Sequence, residues 1–261
     1  MKRVALRLLG DAVEDVLDVL MPLLPQGVYQ RELADGRAEV AFYGEAPPEL
    51  DALPVLAREE EEVPDGREER RRRVGQVWEI AGRLRVRAPT DPPAAPGVPE
   101  VVVEPTIGGF GSGAHPTTRM TLELLLGLEP GGGFADLGCG GGVVAIAAAK
   151  LGWEPVFGVD VEGRAVEATR HNAASNDVEV HAVQADLREV PPPPAGTLAG
   201  NMPLSVHERV APALDPMTRH VIASGIVNDS AAAIVALYGA AGLGERARRS
   251  EKGWVAIWLA R

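Results

Sequence analysis

The stretch Asp136-Leu137-Gly138-Cys139-Gly140-Gly141-Gly142 constrains this chain more than any other. It follows the apolar run Phe134-Ala135-Asp136-Leu137 and opens an apolar segment from Val143 to Leu151. That order predicts a strand, a tight turn and a helix. Four of the five positions from 138 to 142 are glycine, whereas an ordinary turn seldom needs more than one or two. Glycines permit both a sharp turn and close approach of a ligand to the backbone. From residue 100 onward the chain alternates strand and helix patterns. Val101–Val103, Phe134–Leu137, Val156–Val159, Val178–Val183, Thr197–Gly200, His220–Ala223 and Trp254–Leu259 read as strands. Thr117–Leu126, Val143–Leu151, Arg164–Asn176 and Ala231–Ala241 read as helices. Such alternation predicts an α/β fold, a Rossmann-like, mostly parallel sheet with helices on both faces. Ligands of such sheets bind beyond the carboxyl ends of the strands, where strand order reverses.

The ligand is not decided by the glycines alone. Gly140-Gly141-Gly142-Val143-Val144-Ala145 satisfies the dinucleotide pattern G-x-G-x-x-A, and Asp160 lies 20 residues after Gly140, where a ribose-binding acid is expected. A nicotinamide-dependent oxidoreductase therefore stays open at this point. A pyrophosphate seeks a helix N-terminus, and Asp136 just ahead of the glycines would repel it. The same carboxylate suits S-adenosylmethionine, whose amino-acid end carries an ammonium. Asp160 ends its strand and can accept from two ribose hydroxyls; its plainer role is a cap for the next helix. Asp186 ends a further strand and could accept from an adenine amine; its plainer role is a turn acid.

The first hundred residues differ in texture. Val4–Leu8 reads as a strand, with Asp11 capping a helix whose apolar positions are Val13, Val16, Leu17 and Leu20. Val28–Leu33 and Ala38–Tyr43 read as a hairpin around Asp35-Gly36. This predicts a small α+β domain over 1–88, serving substrate recognition. Glu59-Glu60-Glu61-Glu62 and Arg70-Arg71-Arg72-Arg73 read as a solvated helix or loop of self-compensating charge, or as a docking surface. Leu84-Arg85-Val86 reads as a strand. Five prolines between 89 and 99 read as a stiff linker, which puts the sheet domain at 101–261.

Charge and cysteine narrow the setting. Cys139 is the only cysteine, so no intrachain disulfide forms and a reducing compartment is expected. Arg7 and Asp11 interrupt the N-terminal apolar stretch, unlike a secretory signal, and no run reaches the 18 or so apolar residues of a membrane span. A cytoplasmic protein without membrane association is expected. The net charge of -11 argues against direct nucleic-acid binding. It suits a basic protein substrate, or simply solubility.

The segment Glu104-Pro105-Thr106-Ile107-Gly108-Gly109-Phe110-Gly111-Ser112-Gly113-Ala114-His115-Pro116-Thr117-Thr118 resembles the signature loop of the PrmA family. Asp136–Gly142, Gly158-Val159-Asp160, the segment around Asn201, and Ser224-Gly225-Ile226 follow in that family's order. The resemblance covers residues 78–261 well and residues 1–77 only in general layout. It implies a class I S-adenosylmethionine-dependent methyltransferase acting on amino groups of a large-subunit ribosomal protein. It implies a loop from Phe110 through Gly111 to Gly113 over the cofactor, a cofactor contact from Thr118, Gly138 near the methionine portion, Gly140 at the cofactor, Asp160 at the ribose, and Asn201 between cofactor and substrate. Asn201-Met202-Pro203-Leu204 departs from the family's N-I-L-A and looks partly like the N-P-P-Y of other amine methyltransferases. The first 77 residues are divergent too. A different protein or a small molecule is therefore the alternative substrate.

Methyl transfer from a sulfonium needs alignment and a dry site more than proton transfer. Asn201 is the residue expected to aim the acceptor amine. His115 and His207 are weaker candidates for a base; their plainer roles are a loop-locking hydrogen bond and a helix surface position. The five histidines are scattered without metal-ligand spacing, and no metal is expected.

Overall fold

The computed structural model describes residues 2–20, 23–24, 29–33, 36–62, 77–89, 91–104 and 115–261. The chain divides into two compact units, Met1–Arg73 and Val74–Arg261.

In the first unit, β1 (Lys2–Leu9) leads through a 3-10 turn at Gly10–Ala12 into α1 (Val13–Leu20). Then come β2 (Tyr29–Glu32), β3 (Arg37–Tyr43), a 3-10 turn at Pro48–Ala52 and β4 (Ala57–Glu62). The sheet order is β2-β3-β1-β4, with antiparallel neighbours throughout. Strand alternation puts Val4 opposite Phe42 and Leu6 opposite Val40, and α1 lays Val13, Val16 and Leu20 over that buried face. The result is a split β-α-β unit with a 3-10 turn where a second helix would stand. The expected strand, helix and hairpin are present. The helix proper starts at Val13, after the 3-10 turn that contains Asp11. Residues 34–35 of the hairpin turn lie outside the described residues.

The acidic run is neither helix nor loop. Glu59–Glu62 belong to β4, an edge strand paired with β1. Its carboxylates face cations of the neighbouring strand: Glu60 with Lys2 at 3.0 Å, Glu61 with Arg3 at 3.1 Å and Glu59 with Arg7 at 2.9 Å. Cross-strand charge pairs support the register, and a charged edge resists further strand addition. Arg70–Arg73 lie outside the described residues.

The second unit starts with a three-stranded sheet of β5 (Trp78–Ile80), β6 (Leu84–Arg87) and β7 (Glu100–Val102). The elements that follow are α2 (Pro116–Leu125), β8 (Phe134–Leu137), α3 (Val143–Lys150), β9 (Val156–Asp160), α4 (Gly163–Ser175) and β10 (His181–Gln184). After them come β11 (Thr197–Asn201), α5 (Leu204–Val210), β12 (His220–Val227), α6 (Ala231–Ala240), β13 (Gly244–Glu251) and β14 (Trp254–Ala260). Seven of these strands form one sheet in the order β10-β9-β8-β11-β12-β14-β13. The first five are parallel; β14 runs antiparallel to β12, and β13 antiparallel to β14. One face buries Phe134, Val156 and Ile222 against Leu122 and Leu125 of α2 and Ile146 of α3. The other buries Leu137, Val159 and Leu198 against Ile234 and Tyr238 of α6. A parallel sheet covered on both faces explains why its strands read as apolar runs.

Two features depart from the sequence expectation. The division between the units falls at 73/74 and not at 88, because β5 and β6 pair with each other and with β7. The proline-rich stretch is therefore a connection inside one small sheet. Its backbone is held there: Arg85 donates to the Pro93 carbonyl at 3.1 Å, and the N–H of Ala94 donates to Glu100, which also binds Arg87. The second departure is β13, which no hydrophobic pattern announced.

Polar side chains of α4 fasten β7 to the main sheet. Asn176, just past the end of α4 and 4% exposed, accepts the N–H of Val102 at 2.9 Å and donates to its carbonyl at 2.6 Å. Asn172 accepts the N–H of Glu104 at 3.0 Å. Both asparagines thereby fix the backbone that leads into the 105–118 segment. Asn176→Ala would leave partly buried backbone groups of Val102 without these partners, a cost of about 1 kcal/mol or more. The urea midpoint should fall accordingly, with an unchanged slope.

Candidate functional site

Strand order reverses at β8. Its two parallel neighbours are β9 and β11, so the connections that leave it diverge and open a crevice at the carboxyl ends. Four strand ends meet the crevice: β8 with the glycine loop, β9 with Asp160, β10 just before Asp186, and β11 with Asn201.

The glycine loop turns by left-handed residues. Gly138, Gly140 and Gly142 have φ of 75°, 53° and 82°, values that side chains disfavour. A Cβ on Gly138 would sit 3.3 Å from the Asn201 carbonyl oxygen, and one on Gly142 would sit 3.0 Å from Thr169. Gly142 donates its N–H to the Cys139 carbonyl within the loop at 2.8 Å, and most other polar groups of the loop are claimed from outside it. Val159 accepts the N–H groups of Gly138 and Cys139 at 2.8 and 3.0 Å. The Asp160 carboxylate accepts that of Gly140 at 2.9 Å and that of Glu162 at 3.0 Å. Thr169 donates to the Gly140 carbonyl and Asn172 to the Gly141 carbonyl, each at 2.9 Å. Asn172 therefore bridges the glycine loop and the backbone at Glu104.

Asp136 is buried at 3% exposure and accepts the N–H of Ala145, in the first turn of α3, at 3.0 Å. Burial is the main cause that pushes its carboxyl up to about 7; the Ala145 hydrogen bond opposes this and the nearby Asp160 adds to it. An acid thus stands at the helix N-terminus, the position an anionic ligand would otherwise take. Asp186 is turned to Arg188, accepting from its backbone N–H and Nε at 2.9 Å each and from its Nη2 at 2.8 Å. Those contacts hold the Asp186 carboxyl below its usual range. Its geometry is that of a turn acid beside Asp160, whose carbonyl takes the N–H of Ala185.

Asn201, at the end of β11, donates its side-chain amide to Thr117 Oγ1 at 3.0 Å. Thr117 is buried in the first turn of α2, and Thr118 beside it is half-buried. Thr117 touches Asn201 across 84 residues of sequence. Phe110, Gly111 and Gly113 lie outside the described residues.

The two histidines part company. His115 is the N-cap of α2; its Nδ1 accepts the N–H of Thr117 at 3.3 Å and lies 2.6 Å from the Thr117 hydroxyl. This bond caps the first turn of α2, and the His115 ring stands edge-on to Trp254. His207 is no surface residue: it is fully buried. Its Nε2 donates to the Ser224 carbonyl at 3.0 Å, and Tyr238 Oη donates to its Nδ1 at 2.8 Å. The same Ser224 carbonyl takes the N–H of Met202. The neutral imidazole thus props the Asn201-Met202 turn from beneath. A bulge in β12 brings Gly225 (φ 80°) against that turn, where a Cβ would meet Met202 N at 2.5 Å. The polar residues Thr117, Thr169, Asn172 and Asn176 were not read as part of the site. Their one signal was spacing: 169, 172 and 176 share a helix face that packing should make apolar.

Burial pushes the His207 imidazole down to about 4. Between pH 6.5 and 4 the unfolded chain binds a proton there that the folded chain does not. Stability from this residue is therefore complete above about pH 6.5 and is lost as pH falls, by on the order of 3 kcal/mol. Denaturation of the parent and of His207→Gln across pH 4–7.5 should show a difference that shrinks toward acid; a constant difference would contradict the assignment.

Comparison with known proteins follows the same lines. The profile of the family described as ribosomal protein L11 methyltransferase (PrmA) matches residues 90–261. The ribosomal protein L11 methyltransferase of Azotobacter vinelandii is 35% identical over 168 residues, 62% of this chain and 56% of that protein. That of Geobacter metallireducens is 41% identical over 111 residues, 42% of this chain and 37% of that protein. The chain thus spans little more than half the length of such curated relatives, or less. A crystal structure of ribosomal protein L11 methylase from Lactobacillus delbrueckii subsp. bulgaricus shares the fold, with a TM-score of 0.61 at 21% identity over 72% of this chain and 98% of that one. The strand order, the glycine turn with its flanking acids and the match from 90 to 261 agree: the chain belongs to the PrmA family and has the Rossmann-like class I methyltransferase fold.

Proposed function

We propose that this chain is an S-adenosylmethionine-dependent N-methyltransferase of protein amino groups, and that its substrate is ribosomal protein L11, the protein named in its relatives. The carrying observation is Asp136 at the N-terminus of α3. A buried acid already occupies the Ala145 N–H, where a pyrophosphate would need free donors. A ligand with an ammonium and a sulfonium meets the opposite situation, since a nearby cation favours the ionised carboxylate. That chemistry favours the methyl donor over a nicotinamide dinucleotide.

The crevice fits such a ligand. The left-handed glycines bring bare backbone to the rim. Asp160 holds the loop through Gly140 and has lone pairs left for ribose hydroxyls. Gly138, Gly140 and Asp136 would lie at the methionine portion, with Thr118 at the start of α2 contacting the ligand as well. Asp186 has the adenine side, through the lone pairs that Arg188 leaves.

When bound, S-adenosylmethionine supplies a methyl group already activated by the sulfonium. The protein's task is alignment, worth up to about 7–11 kcal/mol in well-oriented systems. The acceptor amine must be neutral; a free lysine titrates near about 10.4 and an α-amine near about 8. Burial and a nearby cation both lower these values. The Asn201 side-chain carbonyl and the backbone at Met202-Pro203 accept the amine's N–H groups and aim its lone pair. His207 holds that turn without reaching the reacting atoms. The net charge of -11 draws in a basic protein, and the Met1–Arg73 unit selects it. Among the described residues no helix is long and apolar enough to cross a membrane; a lone cysteine and a ribosomal substrate support a cytoplasmic setting.

Titration calorimetry against S-adenosylhomocysteine and NAD tests the ligand: the first should bind and the second should give no heat, and the reverse would sink the proposal. With labelled donor and purified L11, Asn201→Ala should lower turnover by about a hundredfold while homocysteine-nucleoside affinity stays near that of the parent. Undiminished turnover would remove Asn201 from the reaction.

A further inference from the structure

We infer that Thr117, backed by His115, is a positioning residue that decides which end of the Asn201 amide meets the acceptor amine. The inference rests on the role proposed for Asn201. An asparagine amide has a carbonyl end and an NH2 end of nearly the same shape. Only the carbonyl end serves this reaction. It accepts an N–H of the amine and leaves the nitrogen lone pair free for the methyl. The NH2 end would instead donate to that lone pair and block it.

The order of donors and acceptors fixes the choice. A backbone N–H can only donate, so the N–H of Thr117, 3.3 Å from His115 Nδ1, makes that nitrogen an acceptor. The Thr117 hydroxyl, 2.6 Å from the same nitrogen, then donates its own proton to it. With its proton spent, Oγ1 offers Asn201 a lone pair only, and the side-chain nitrogen of Asn201 meets it at 3.0 Å. The carbonyl oxygen is left as the end that turns toward a substrate. The relay is held in place: Thr117 is 1% exposed, Pro116 begins α2 beside it, and the His115 ring stands against Trp254 at 5.2 Å. Burial and the nearby Arg119 keep His115 on the neutral side of its ordinary range, the state in which Nδ1 can accept. The other end is fixed as well, because Met202 is tied to Ser224 and Gly225 packs against the Asn201–Met202 peptide.

The test compares Thr117→Val, which keeps the shape and removes the relay, with Thr117→Ser, which keeps the hydroxyl. With labelled S-adenosylmethionine and L11, the valine variant should lose about ten- to a hundredfold in kcat. Its KM for S-adenosylmethionine and its affinity for S-adenosylhomocysteine should stay within about twofold. The serine variant should recover most of the lost kcat. Full turnover by the valine variant, beside an inactive Asn201→Ala, would overturn the positioning role and leave Asn201 in place. Full turnover by Asn201→Ala would remove the role of Asn201 and this inference together. Should the valine variant fail to fold, the Asn201 side-chain amide protons of the 15N-labelled parent decide the matter. The relay requires one protected proton, absent from Asn201→Ala spectra; free exchange of both would overturn it.

Discussion

A single short turn has to carry the chain from the middle of a buried parallel sheet into a buried helix, and everything at the crevice is arranged around it. Between Leu137 and Val143 the backbone passes so close to Asn201 and Thr169 that Gly138 and Gly142 leave no easy room for a side chain. Each exposed N–H and carbonyl must therefore find a partner on a neighbouring element. Asp160 supplies one from β9, and Thr169 and Asn172 supply others from α4. The polar residues around the turn are thus the condition for a side-chain-free rim. That rim in turn lets a ligand lie directly on the backbone.

The same economy explains why one acid has two kinds of work. Asp136 and Asp160 both accept loop or helix N–H groups, which is structural work. Asp160 also ends β9, and Asp136 lies one residue before the end of β8, so both stand near the carboxyl edge of the sheet. Burial raises the Asp136 carboxyl, and a cation beside it would favour the ionised form. Opposite these acids the β11 end is built from neutral groups. Asn201, Thr117, His115, His207 and Tyr238 form two short chains of hydrogen bonds with no net charge.

Much of the core unit was legible because its elements are buried on both sides. Val156–Val159 and Thr197–Gly200 are runs of mostly small or apolar residues followed by an acid or an asparagine, Phe134–Leu137 is apolar but for Asp136, and the glycines mark the turn between that strand and its helix. The failures have a common cause. β4 and β13 consist mostly of charged or polar residues. They are strands because a neighbour's backbone lies beside them, and the cations and acids across the ladder settle the register. An edge strand has no buried face to imprint a period of two on its sequence. The prolines of 89–99 looked like a linker for a related reason: nothing local reveals that Arg85, Arg87 and Glu100 reach back to satisfy that backbone.

Local chemistry alone determined the glycine turn, the acids at the strand ends and the alternation that makes a parallel sheet, because each depends on backbone sterics and on burial of contiguous apolar residues. Long-range contact alone decided the rest. Thr117 and Asn201 are separated by 84 residues, His207 is core and not surface because α6 closes over it, and Asn172 joins two loops that share no sequence neighbourhood. A hydrogen bond between distant residues leaves no trace in composition or periodicity; only the packing of helices on the sheet brings donor and acceptor within reach.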